Sequence, residues 1–242
     1  MSLARSLLAD ASRPYLAAGW TQYFAARSKL LADPVFEAIL SRGLLSSRAR
    51  ILDLGCGQGL LAALLLAARA ASASRAWPDH WPPAPEPSLV RGIEIVARQV
   101  RKARLALTLR PEAASHTEFI HADVCGAEFG CADGVVILDV LQFIEPAQHR
   151  SILERAHRAL LADGVLLLRI GNAAGGVRFR LGKWVDRIST LARRRALHYR
   201  STQEWLDLLL DAGFDAEAVP MSAGTPFANV LLIARPRAGG PS

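Results

Sequence analysis

The 242 residues include 51% hydrophobic and 21% charged side chains, which suits one large α/β domain with a buried core and excludes a disordered chain. No apolar run reaches the roughly 20 residues that span a bilayer, and the N-terminus MSLARSLLADASRPYL lacks the apolar core and cleavage site of a signal peptide. The net charge of +7 is local: residues 173–200 hold eight Arg or Lys against Asp186 alone, which argues against a general nucleic-acid-binding surface.

Residues 1–45 read as helical, with PVFEAILSRGLL showing apolar residues at helical spacing and Gly43 as a stop. A strand at 50–54 runs into the glycine turn GCGQG, and a strongly apolar helix covers 60 to about 70. Residues 71–88 carry five prolines, which forbid a regular helix or central strand; the segment is expected to be a surface loop inserted before the second strand. That strand spans 89–95 and is followed by a basic amphipathic helix at 96–109. Further strands are expected at 118–121, 134–139 and 164–170, with a helix at 147–161. The segment 173–200 reads as a basic helical insertion, because Val177, Leu181, Trp184, Ile188 and Leu191 make one apolar stripe beside Arg178, Arg180, Lys183 and Arg187. A helix at 201–212 stopped by Gly213 and strands near 216–220 and 228–234 complete the chain.

Strands alternating with helices imply a Rossmann-like α/β fold: a seven-stranded, mainly parallel sheet with helices on both faces and an antiparallel strand at one edge. The unbroken apolar runs at 134–139 and 164–170 mark central strands. We divide the chain into an N-terminal helical lid, 1–45, and a cofactor-binding domain, 46–242. The three cysteines, Cys56, Cys125 and Cys131, make neither a disulfide framework nor a CxxC metal pair, so no metal and a cytoplasmic setting are expected.

The chemistry is carried by ILDLGCGQG, residues 51–59, between a strand and a helix. Its glycines allow a sharp turn and close approach of a ligand to the main chain. Asp53, two residues before the first glycine, suits an ammonium group, which S-adenosyl-L-methionine (SAM) has and a nicotinamide dinucleotide lacks. Glu94 in GIEI is placed to take ribose hydroxyls; it follows Gly59 by 35 residues rather than the usual 20 or so because the Pro-rich loop intervenes. Ile95 would lie against the adenine face. In HADV, Asp123 could receive the adenine amino group, with Val124 beside it, and in LDVLQFIEP, Asp139 and Val140 stand at the cofactor's edge.

In this order the motifs resemble those of class I SAM-dependent methyltransferases, over about 50–236. The resemblance implies that Gly55, Cys56 and Gly57 surround the methionine portion, that Glu94 takes the ribose and Asp123 the adenine, and that Tyr23 in the N-terminal lid touches the methionine end. It implies a small-molecule acceptor. Where the small-molecule pattern often has a histidine, this chain has Gln142. The stretches YFAARSKLLADPVF and PMSAGTPFANVLLIAR are similar to bacterial methyltransferases of aryl polyene and xanthomonadin-type pigment clusters. That narrower resemblance implies an aromatic or polyketide-like acceptor, carried on an acyl carrier protein that the basic segment would dock.

Methyl transfer is an in-line displacement from an activated sulfonium, so alignment supplies much of the rate and a general base is optional. The candidate bases are His121, His198, Tyr199 and Glu145. Competing readings are an RNA or protein methyltransferase using the basic segment, a nicotinamide dehydrogenase, and a SAM-binding protein without catalysis. Against the first, LDVLQF is not an Asn/Asp-Pro-Pro-aromatic motif; against the second, Leu60 occupies the last glycine position of GxGxxG.

Overall fold

The computed structural model of the chain describes residues 3–46, 48–108, 111–171, 197–221 and 229–237. Seven strands form one sheet in the order β3-β2-β1-β4-β5-β7-β6. Two compact units divide the chain: Met1–Glu128 with Ala132–Gly134, and Phe129–Cys131 with Val135–Ser242.

The first unit begins with α1 (Leu3–Ser12), a 3-10 helix (Arg13–Ala18), α2 (Trp20–Ala32) and α3 (Pro34–Ser41). Asp33 caps α3 by accepting from the Val35 amide at 3.2 Å, and Pro34 supplies a preset φ at the first helical position. Then follow β1 (Arg50–Leu54), α4 (Leu60–Ala73), β2 (Leu89–Glu94), α5 (Ala97–Thr108), α6 (Pro111–His116) and β3 (Thr117–His121). α1 packs on α4 and the 3-10 helix on α5. Strand β1 is buried at four successive positions, as a parallel strand covered on both faces requires. It pairs parallel to β2, with Asp53 opposite Gly92, and β2 pairs parallel to β3, with Glu94 opposite His121. These registers bring three residues singled out in the sequence to the carboxyl ends of adjacent strands, where α/β sheets bind ligands.

The Pro-rich loop is well tied. The Trp77 indole N–H donates to the Pro82 carbonyl at 2.9 Å, and the Trp77 and Trp81 rings meet edge to face. Pro78, Pro85 and Pro87 are buried while Arg75, Asp79, His80, Pro83 and Glu86 are exposed, so the expected surface loop is folded down onto the unit.

β4 (Ala132–Leu138) is shared between the two units. The second unit continues with a 3-10 turn (Leu141–Phe143), α7 (Pro146–Ala159), β5 (Leu160–Gly171), α8 (Thr202–Asp211), β6 (Phe214–Pro220) and β7 (Asn229–Pro236). β7 runs antiparallel to both β5 and β6, which puts the antiparallel pairing expected from the sequence at that edge of the sheet. The short helix α6 was not foreseen; it is a six-residue Ala-containing turn behind a proline, too short to show a period. β5 starts four residues before the strand expected at 164, across the polar Ala162-Asp163-Gly164 stretch. The expected basic helix of 173–200 lies outside the described residues except for 197–200. Among the described residues no helix is long and apolar enough to cross a membrane.

Ser201 and Glu204 form a reciprocal capping box at the start of α8, directly after the segment that carries His198 and Tyr199. Ser201→Ala should lower the unfolding free energy by about 1 kcal/mol in urea titrations; an unchanged midpoint would show that the cap is not a stabilising element.

Candidate functional site

The glycine turn after β1 is built by backbone bonds to the neighbouring strand. The Gly55 and Cys56 amides both donate to the Ile93 carbonyl, at 2.7 and 3.1 Å, and the Gly59 amide donates to the Cys56 carbonyl at 2.9 Å. Gly57 has φ +56°, the left-handed region, and a Cβ built there would meet nothing within 4 Å. The main chain therefore presents an open face at the middle of the turn, as close ligand approach requires. Gly92 serves the opposite purpose: a Cβ there would stand 2.6 Å from the Cys56 sulfur and 2.9 Å from the Phe119 ring, so only glycine lets the turn lie this near β2.

Two carboxylates converge beneath the turn. Asp53 is 5% exposed and Glu94 8%. Glu94 is anchored by the backbone, one oxygen accepting from the Gly57 amide at 3.0 Å and the other from the Val96 amide at 2.7 Å. Each oxygen keeps a lone pair for a further donor, so the group is oriented without being used up. Asp53 differs: among the described residues no hydrogen bond or ion pair meets its carboxylate. Burial, and secondarily the charge of Glu94, raise its pKa from 3.8 to about 7. A buried acid of this kind fits an incoming ammonium, and Glu94 fits hydroxyl donors.

Tyr15 was missed in the sequence. It is fully buried in the 3-10 helix, and its hydroxyl donates to the Gln58 carbonyl at 2.9 Å, tying the N-terminal helices to the glycine turn. Burial, with smaller contributions from Cys56 and Asp53, raises its pKa well above 10, so it stays a donor. Burial likewise pushes the Cys56 thiol up, which removes it as a nucleophile and leaves a small packing residue.

The other first-unit candidates lie around this centre. Ile95 is exposed. Asp123 is exposed and accepts from the Cys125 amide at 2.9 Å, leaving its second oxygen for another donor, and Val124 is buried. The His121 ring nitrogen Nε2 bonds the Ile95 carbonyl at 3.0 Å, which gives it a backbone-fixing job. Tyr23 is half-buried and packs edge to face against Trp20 and Phe24.

In the second unit, Asp139 adopts φ +59°, a strained conformation that Asp tolerates better than most. The reason lies in β5. The buried Arg169 grips it with both arms, Nε to Oδ1 at 2.8 Å and Nη2 to Oδ2. Asp139 thus fixes the turn that carries Val140 and Gln142. A second device, also unforeseen, is His149, fully buried on α7. Its Nε2 faces the carbonyls of Leu141 and Ile144 at 2.8 and 3.0 Å, and so carries the proton; Nδ1 accepts from Arg200 at 3.3 Å. Burial lowers its pKa, keeping it neutral. It also stacks on Trp205. These contacts hold the turn after β4 against residues 198–200. The His198 amide donates to the Gln142 carbonyl at 2.8 Å, and the His198 ring stands 3.5 Å from the Glu145 carboxylate. Two candidate bases are therefore paired, and Tyr199 lies beside Gly171, in contact range of a Cβ built there. Among the described residues no three His, Cys, Asp or Glu side chains converge as a metal site.

Comparisons with known proteins bear on the family and the fold. The methyltransferase-domain family matches residues 17–219. A carboxy-S-adenosyl-L-methionine synthase of Chromohalobacter salexigens is 30% identical over 121 residues, which is 50% of this chain and 39% of that protein. The chain thus spans well under half the length of this curated relative. In fold, the chain is similar to magnesium protoporphyrin IX methyltransferase from Synechocystis PCC 6803 with bound SAH, at a TM-score of 0.60 and 19% identity, over 90% of this chain and 88% of that one. It is also similar to an O-methyltransferase family protein from Burkholderia thailandensis, at a TM-score of 0.64 and 19% identity, over 93% and 63%. At these identities the likeness is one of fold.

The Asp53 environment has a measurable consequence. Because folding raises this pKa, the fold favours the protonated acid; that stabilisation is complete below about pH 4 and is lost as pH rises through 7, a difference of up to about 4 kcal/mol at pH 8. Asp53→Asn should therefore resist urea better than wild type at pH 8, with the advantage shrinking toward pH 4. An advantage that does not change with pH would contradict the assignment.

Proposed function

This chain belongs to the methyltransferase-domain family, and from that premise we propose that it transfers the methyl group of S-adenosyl-L-methionine to a small-molecule acceptor. The observation that carries the cofactor is the buried Asp53 carboxylate, beside which no cation stands among the described residues, set under an open glycine turn and next to the backbone-anchored Glu94. Asp53 receives the ammonium of the methionine portion, Gly55, Cys56 and Gly57 line it, and Tyr23 closes its end. Glu94 accepts from the ribose hydroxyls, Ile95 and Val124 flank the adenine, and Asp123 accepts from its amino group. Asp139, with Val140, borders the cofactor while Arg169 holds its conformation.

Bound SAM supplies a sulfonium methyl that needs no further activation. The protein's part is to bind and align. The Glu94 carboxylate is fixed before the cofactor arrives, so little ordering is required at binding. For an acceptor that must lose a proton, the His198 imidazole is the base, oriented by Glu145 at 3.5 Å and by its amide bond to Gln142. Tyr199 borders the same place, and the bonded, exposed His121 is the weaker choice. The sequence similarity around 23–36 and 220–235 supports an aromatic or polyene pigment intermediate as acceptor, free or carried on an acyl carrier protein that the basic segment docks. Three free cysteines suit a reducing, cytoplasmic setting.

Calorimetric titration with SAM, its demethylated product and NAD tests the reading. SAM and product should bind wild type and NAD should not, and Glu94→Ala should weaken SAM by roughly tenfold or more. Failure of well-folded wild type to bind either methionine ligand would overturn it. His198→Ala should lower kcat on a phenolic acceptor while leaving SAM affinity within about twofold, because a base acts in the chemical step; an unchanged kcat would exclude His198 as the base.

A further inference from the structure

Helix α2 displays two exposed rings, Trp20 and Phe24, to which the cofactor reading gives no part. Trp20 is 69% exposed and Phe24 59%. Their rings lie within 28° of parallel with centroids 6.1 Å apart, and the half-buried Tyr23 braces both edge to face, at 87° and 63°. Two large rings left in water while braced by a third form a ready stacking surface, since covering them removes apolar area from water. Arg27 completes the face. It follows Trp20 by seven residues and Tyr23 by four, so helical periodicity puts it on the same side.

The charge around the face is one-sided. Residues 11–32 contain no Asp or Glu. Of the cations in this stretch, Arg13 is paired with Asp10 and Lys29 with Asp33. Arg27 is half-buried and, among the described residues, has neither hydrogen bond nor ion pair. A guanidinium left unpaired beside exposed rings is suited to a ligand with a carboxylate and a flat apolar body. The face is also tied to the cofactor turn: Tyr15, five residues before Trp20, is bonded to Gln58 in that turn.

We propose that the Trp20–Phe24 face of α2 receives the methyl acceptor, and that the acceptor is a planar conjugated carboxylate, stacked on the two rings with its anionic end on Arg27. The inference rests on the small-molecule reading above and narrows it to one substrate class. Trp20, Phe24 and Arg27 are binding residues in this scheme and take no part in the chemical step.

The test is equilibrium titration of the full chain, with and without the demethylated cofactor product, using three probes: 4-hydroxycinnamate, the neutral 4-hydroxycinnamyl alcohol, and the non-planar cyclohexanepropionate. Wild type should bind 4-hydroxycinnamate roughly tenfold or more tighter than either of the others. Arg27→Gln should erase the advantage over the alcohol and keep the advantage over the cyclohexane acid. Trp20→Leu/Phe24→Leu should do the reverse. Arg27→Gln should bind SAM as wild type does and the double Leu variant should still bind it, so a lost acceptor preference is distinguished from a lost cofactor site or fold. Equal affinity for the three probes, no binding of any by protein that binds SAM, or preferences unmoved by the substitutions would overturn the proposal. So would a wild-type dimer that dissociates in Trp20→Leu/Phe24→Leu, because a second copy would then be the occupant. Failure of wild type to bind SAM while the probe preferences hold would instead count against the cofactor reading.

Discussion

Two carboxylates buried side by side, with no cation among the described residues paired to either, are the constraint from which the first unit's architecture follows. Each charged oxygen removed from water must find a donor or give up its charge. Glu94 takes the first course, using the Gly57 and Val96 amides. Asp53 takes the second, with its pKa raised to about 7. A fold selected for stability alone would not place an unpaired acid there. In the proposed reading the ligand's ammonium supplies the partner that the described residues leave out. The glycine turn, the close approach of Cys56 to Gly92 and the Tyr15 bond to Gln58 all hold backbone around that pair.

The second unit meets a different requirement, which is to hold irregular backbone in place next to candidate proton-transfer groups. Asp139 in a left-handed conformation would be unfavourable alone, and the bidentate Arg169 contact offsets it. His149 does the same for the following turn by satisfying two carbonyls at once. Protonation of that imidazole would put a cation against the Arg200 guanidinium, and burial opposes it. Both residues act on position rather than on a reacting atom.

What the sequence revealed and what it hid follow from the range of the interactions. β1 at Arg50–Leu54 and the turn after it were legible because an apolar run, an acid and closely spaced glycines are local signals. Glu94 could be found despite its unusual spacing because the prolines of 71–88 announced an insertion. The capping box at Ser201 and Glu204 was not singled out in the sequence, although it is a local four-residue pattern. Tyr15, Arg169 and His149 were not legible. Tyr15 and Arg169 depend on partners 43 and 30 residues away and His149 joins carbonyls 8 and 5 residues before it to Arg200, 51 residues on; a tyrosine, an arginine in an apolar strand or a histidine in a polar helix has no periodic signature. Tyr23 was singled out as a cofactor contact, but no local signal marks Trp20 and Phe24 as staying exposed around it, since exposure is a property of packing.

The central claim is that Asp53 exchanges its proton for the cofactor's ammonium, and calorimetry of SAM binding at pH 6.5 in buffers of different ionisation enthalpy tests it most directly. The account predicts release of roughly half a proton or more per SAM bound by wild type, and none by Asp53→Asn. Binding without proton release, or the same release from the variant, would contradict it.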